Sequence, residues 1–299
     1  MIRIAAVIII VMSPICGLAQ QHAIYSQYLF NLYAINPAYA GELDALAASL
    51  SYRSQWVGFE GAPRTQNFNI HSPINKKNMA LGLQVQNDEI GARSTPGISA
   101  AYSYKVRLSP KSKLSFGIQA GVINYQYDWN KLEYNQTADP VAFGASRNEW
   151  IPSFDFGVMY TTKDAYVGLS ALGLNNPKTV EGVSSDARLE TFFNLVAGKL
   201  FKLSSRLALK PSALIRKSLN SPYQFDFNFS ARYLNRYWIT ATYRYGFGMV
   251  ASAHFFVTDR FHLGYAYDLP VNPLLAEQSG THEIFIGYNF SIYGKRNSD

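Results

Sequence analysis

The sequence predicts an all-β protein: an antiparallel transmembrane β-barrel of fourteen strands with a short irregular N-terminal arm. Three observations carry that prediction. The first is a period of two. In 224–233, Phe225, Phe227, Phe229, Ala231 and Tyr233 share one face, while Gln224, Asp226, Asn228, Ser230 and Arg232 share the other. Such alternation marks a strand with two unlike faces. The second is composition. Charged residues make up 16% and aromatics 15%, with 21 Tyr and 19 Phe. That charge content is below the roughly 25% of a soluble domain, and the aromatics suit the girdles of a membrane barrel. The third is that the connections sort by parity. Every second link (73–78, 109–112, 162–164, 204–206, 234–236 and 258–260) is a short polar turn. The others include 128–152, 173–190 and 268–281, with 246–248 the short exception. A barrel entered from the periplasm has short turns on one side and longer loops on the other.

Residues 1–19 read as a secretory signal peptide. Arg3 supplies the basic start, Ile4–Met12 the apolar run and Gly17-Leu18-Ala19 the cleavage site. The run is too short to span a bilayer. Cys16 is the one cysteine and falls inside this segment, so the mature chain from Gln20 carries no disulfide. Residues 20–42 are polar and aromatic without alternation and contain the Asn36-Pro37 turn signal; they read as a periplasmic arm. Residues 43–290 read as the outer-membrane barrel. Its expected strands are 45–56, 64–72, 79–87, 97–108, 113–127, 153–161, 165–172, 191–203, 207–217, 224–233, 237–245, 249–257, 261–267 and 282–290, with Pro211 awkward inside one of them. Residues 291–299 are left as a tail. The formal charge of +7 is scattered along the chain. Export excludes nucleic acid as a partner and leaves anionic outer-membrane lipid and acidic partners to account for the excess.

Several blocks resemble the PorP/SprF family of type IX secretion outer-membrane proteins. They are Tyr25-Ser26-Gln27-Tyr28-Leu29-Phe30-Asn31, Asn36-Pro37-Ala38-Tyr39-Ala40-Gly41, Gln55-Trp56-Val57-Gly58, Gly61-Ala62-Pro63-Arg64-Thr65-Gln66, Tyr166-Val167-Gly168-Leu169-Ser170 and Gly264-Tyr265-Ala266-Tyr267-Asp268. The resemblance covers nearly all of the mature chain. It implies a barrel without chemistry, associated with the secretion and gliding machinery. It implies partners among type IX secretion components, one of them periplasmic, and a large adhesin-like cargo recognised through its C-terminal sorting domain. The expected role is to hold or pass that domain at the cell surface. A passive diffusion channel or hydrophobic-solute transporter is the rival expectation.

Catalysis is not expected. The five histidines (His22, His71, His254, His262 and His282) form no His-Glu-x-x-His, and there is no Gly-x-Ser-x-Gly elbow. No cofactor or metal is expected either: Asp226 and Asn228 share a face, but calcium needs more oxygens than they offer, and a network with Arg232 is the preferred reading. Two regions are candidate partner-binding surfaces. One is the arm, through Asn36, Pro37, Tyr39 and Gly41, which either plugs the barrel floor or docks a periplasmic partner. The other is the first external loop, with Trp56, Gly58, Phe59, Gly61 and Pro63, read either as an anchor or as an interfacial aromatic turn. Lys105, Arg107, Arg216, Asp226, Arg232 and Arg244 are expected to line the lumen. A lumen of this strand number is too wide for side chains alone. A polypeptide ligand is the expected occupant, ahead of water, a loop or the arm.

Overall fold

The computed structural model describes residues 24–74, 78–128, 147–175, 190–219, 221–270 and 279–290. The expected signal peptide and tail lie outside the described residues. The strands are β1 (Leu46–Ser54), β2 (Arg64–Pro73), β3 (Met79–Ile90), β4 (Arg93–Ser94), β5 (Gly97–Ser109), β6 (Ser112–Tyr127), β7 (Arg147–Thr162), β8 (Ala165–Leu172), β9 (Phe192–Lys199), β10 (Phe201–Lys202), β11 (Leu207–Ser218), β12 (Gln224–Tyr233), β13 (Tyr237–Arg244), β14 (Gly248–Phe256), β15 (Phe261–Pro270) and β16 (Thr281–Phe290). All pairings are antiparallel, and the sheet closes where β16 meets β1 with Leu46 opposite Phe290. No helix of the described residues is long and apolar enough to cross a membrane.

Sixteen strands make a fourteen-strand barrel because two are fragments, and a proline accounts for each break. β4 and β5 share one register against both β3 and β6, separated at Thr95-Pro96. Pro96 accepts from the Asn124 N–H at 2.8 Å but has no N–H to return. β9 and β10 likewise share one register against β11, and that register places Pro211 opposite Lys199, where β9 stops. The expected strand 191–203 is this pair. Pro211 is tolerated because the ladder is interrupted beside it.

The wall is turned inside out relative to a soluble domain. Ile239 is 68% exposed on the outer face, whereas inward-facing Asp226 is 1% exposed. Hydrocarbon solvates the outside, so apolar side chains gain nothing by turning inward; polar side chains face the lumen, where they find partners. Turns at 110–111, 163–164, 203–206, 234–236 and 257–260 define one end, here the turn side; the other is the loop side.

Candidate functional site

The lumen is occupied by residues 24–42 of the chain itself. Without alternation these residues have no sheet to join, and they fold into three 3-10 turns, Tyr28–Phe30, Leu32–Ala34 and Pro37–Tyr39. Each is closed by a backbone bond three residues long: Asn31 N–H to Tyr28 O at 3.0 Å, Ile35 N–H to Leu32 O and Ala40 N–H to Pro37 O, both at 3.2 Å. The Asn36-Pro37 signal starts the third turn. The Asn36 side chain accepts from the Ala38 N–H at 2.9 Å, and Pro37 fixes the first helical φ.

The arm begins on the loop side. The Ser26 N–H donates to Glu283 Oε2 at 2.6 Å and the Gln27 N–H to Glu283 Oε1 at 3.0 Å. Arg53 pairs with Asp268 at 2.7 Å and with Glu283 at 3.3 Å. Arg244 pairs with Asp226 at 3.1 Å and Asp268 at 3.2 Å. Ser26 Oγ donates to Asp268 at 2.8 Å and accepts from Arg53 at 2.7 Å. Three carboxylates thus share two arginines, and arm donors complete the set. Buried charges are stable only when so satisfied.

From there the chain descends. Tyr25 and Tyr28 hydroxyls accept from Asn67 at 3.0 Å and Asn228 at 2.6 Å. Near the turn side the Phe30 ring stacks on His254, centroids 3.7 Å apart, and meets Trp238 edge-on at 5.7 Å. The chain then rises. Ile35 O accepts from Ser170 Oγ at 2.6 Å, and Asn36 Nδ2 donates to wall carbonyls of Val158 at 3.2 Å and Leu169 at 3.1 Å. It descends again through Ala40 O, which accepts from Ser103 at 2.9 Å. The Gly41 N–H then donates to His71 Nδ1 at 3.0 Å, its carbonyl accepts from Lys105 Nζ, and Glu42 pairs with Lys113 at 2.8 Å.

The wall is shaped to this arm. Inward Met159, Val196 and Leu214 break the polar pattern and pack on Tyr25, Tyr28, Leu32, Ile35 and Ala38. Ala80 and Ala101 do the same for Tyr33 and Ala40. A Cβ on Gly117 would collide with the Ala38 backbone, and one on Gly157 with Asn36 Oδ1. Glycine is what lets a strand approach the arm so closely.

The structure divides the expected partner-binding residues into two groups. Asn36, Pro37, Tyr39 and Gly41 lie inside the barrel, where the reading of 20–42 as periplasmic does not place them; the described part of that segment fills the lumen. Trp56, Gly58, Phe59, Gly61 and Pro63 lie at the loop-side rim. Trp56 N–H bonds Thr281 Oγ1 at 3.2 Å and Val57 N–H bonds Gly280 O at 2.9 Å, tying the loop to the lead of β16. Gly58 and Gly61 take φ of 99° and 72°, which a side chain would resist. Phe59 is 55% exposed and Pro63 is buried.

Of the expected lumen residues, Asp226 and Arg244 come together, and Arg216 bonds Asn194 Oδ1 at 2.9 Å nearby. Lys105 holds the arm at the turn side, and Arg107 is exposed beyond it. The expected network of Asp226 and Asn228 with Arg232 does not form. Arg232 lies on the same strand six positions from Asp226, about 20 Å along it, whereas Arg244 is directly opposite on β13. Arg232 sits instead over the Trp238 ring at 5.5 Å. The expected polypeptide ligand is also corrected: the occupant among the described residues is the chain's own arm. The residues that seat it (Ser26, Gln27, Tyr28, Arg53, Asp268, Glu283 and the wall glycines) were not singled out. Arg53 and Glu283 are not among the expected lumen residues, and nothing in the sequence announces that they meet Ser26.

A family model described as Type IX secretion system membrane protein PorP/SprF matches residues 17–288. No curated protein matches the chain. Among solved structures it is similar to the Acinetobacter baumannii outer membrane protein Omp33, with TM-score 0.48 and 9% identity over 83% of this chain and 99% of that one. It is similar to a Pseudomonas aeruginosa FadL homologue, with TM-score 0.46 and 14% identity over 85% and 93%. It is similar to KdgM porin, with TM-score 0.42 and 8% identity over 82% and 99%.

Proposed function

Because this chain belongs to the PorP/SprF family of type IX secretion system membrane proteins, we propose that its outer-membrane barrel is a non-enzymatic component that holds a secreted protein's C-terminal sorting domain at the cell surface. The observation that carries this reading is the filled lumen. A peptide with tyrosine, leucine and isoleucine buried against the wall and a buried ion-pair cluster at its start argues against free diffusion through the barrel. What remains open to a partner is the rim. On the loop side Trp56 and Phe59 stand exposed on a loop stitched to its neighbours, and preorganised aromatics are the usual anchors of an interface.

The test is affinity purification from native membranes in mild detergent. The expected result is recovery of secretion components and a large surface protein attached through its C-terminal domain, with at least a ten-fold loss of the latter in the Trp56→Ala, Phe59→Ala double variant. Recovery of the bare barrel, together with a large steady ion conductance of the purified protein, would sink the reading in favour of a passive channel.

A further inference from the structure

The turn-side mouth of the barrel holds a second, distinct feature. A pocket of about 250 Å³ opens between the arm and the wall, lined by Phe30, Leu43, Lys210, Trp238, Phe256 and His262 among others. Its apolar lining is rich in aromatic rings, its charged lining residue is Lys210, and Arg232 stands beside it against the Trp238 ring. Lys210 Nζ lies 5.8 Å from the Trp238 ring centroid and 4.9 Å from that of Tyr166, and the Arg232 guanidinium lies 5.5 Å from the Trp238 ring centroid.

Both cations point inward on β11 and β12, yet among the described residues neither forms an ion pair. The described ion pairs of the barrel engage other residues: Arg53 and Arg244 on the loop side, Arg93 with Asp88, Lys113 with Glu42, and Lys202 with Asp164. At the loop-side end of this lumen, by contrast, inward Arg53 and Arg244 each meet carboxylates. Here two like charges both lie within ring-contact distance of one indole, an attraction to the ring face that does not neutralise them. The pair is therefore left with uncompensated positive potential beside an apolar recess.

We propose that this pocket is a docking site for an acidic polypeptide segment on the periplasmic side, an aromatic or branched side chain entering the recess and adjacent carboxylates lying between Lys210 and Arg232. Charge complementarity selects the anion, and the recess selects a polypeptide over a lipid head group. The two cations face the lumen, whereas bilayer lipid meets the opposite face of the same strands, where Pro211, Phe227 and Phe229 stand exposed. The proposal does not rest on the cargo reading: it concerns the opposite end of the barrel, and either can fail alone.

The experiment is photocrosslinking in intact cells. Leu43, 38% exposed at the pocket edge, is replaced by p-benzoylphenylalanine, and the crosslinked peptide is identified by mass spectrometry. The expected partner peptide carries net negative charge and an aromatic or branched residue. The Lys210→Glu, Arg232→Glu double variant should lower its yield at least ten-fold, and the Lys210→Arg, Arg232→Lys exchange should restore it. Heat-modifiable gel mobility confirms that each variant is folded. Crosslinks only to lipid, to residues 291–299 of the chain itself, or to a neutral or basic segment would overturn the proposal. So would a yield indifferent to charge reversal.

Discussion

Arg53 shows what a single side chain does in this lumen. It is 3% exposed and joins Asp268, Glu283 and Ser26 Oγ. Arg53→Met would leave Glu283 without its cation and Asp268 with Arg244 alone, and breaking a buried pair from one side costs about 3–5 kcal/mol. Chemical unfolding in detergent should show a loss of that order, while Arg107→Met, at an exposed position, should change stability by less than about 0.5 kcal/mol. Gly117→Ala tests the seat of the arm. Its Cβ meets backbone of Ala38 rather than a movable side chain, so overpacking of about 1–3 kcal/mol is expected; Gly58→Ala, with open space around it, should register only the strain of its positive φ. Which way these side chains point was legible in the sequence, because period two assigns every residue of a strand to a face. Whom they meet was not. Asp226 and Arg232 share a face and looked like partners, but the partner is Arg244 across the ladder, and register depends on turns whose geometry alternation does not encode.

At the scale of elements, the strands were read closely because each satisfies one strong constraint, apolar toward lipid and polar toward the lumen. One departure is β7, which begins at Arg147 instead of 153 and so takes in the end of the expected loop 128–152; two others have the same cause. Pro96 and Pro211 each remove a ladder donor and split one strand into two pieces. Pro211→Val should restore the missing donor opposite Lys199, and hydrogen exchange should then show an amide at 211 protected to the same degree as that of Ala213. An unprotected amide there would assign the break to some other cause. The arm was the least legible element. It has no period, its turns are three residues long, and its partners lie as far as 257 positions away, as Ser26 and Glu283 do. Only Asn36-Pro37 signalled its local form, since that signal needs no distant partner.

At the scale of the whole molecule, short turns and long loops sorted by parity gave the strand number and the sidedness, because one edge-free ring must return the chain to the same end after every pair of strands. Occupancy of the ring was beyond reach. Composition says that fourteen strands leave space, but not which part of the chain fills it. Planar-bilayer recordings should find the intact protein poorly conducting and the chain lacking residues 24–41 at least ten-fold more so. Equal conductance of the two would mean that the arm does not obstruct flow. Removing the arm also exposes Met159, Val196 and Leu214 to lumen water, so the shortened barrel should unfold at lower denaturant than the intact one.

The arm enters its berth near Glu283 and leaves it near Lys113, at opposite ends of the cylinder, with a full reversal between. That path constrains the order of assembly. A cylinder sealed first would have to draw Tyr28, Phe30 and Tyr33 back through an already crowded bore. Sealing last, at the Leu46–Phe290 seam, needs no such passage. During refolding, amides 26–41 should therefore gain protection before or together with those of β1 and β16, never after them.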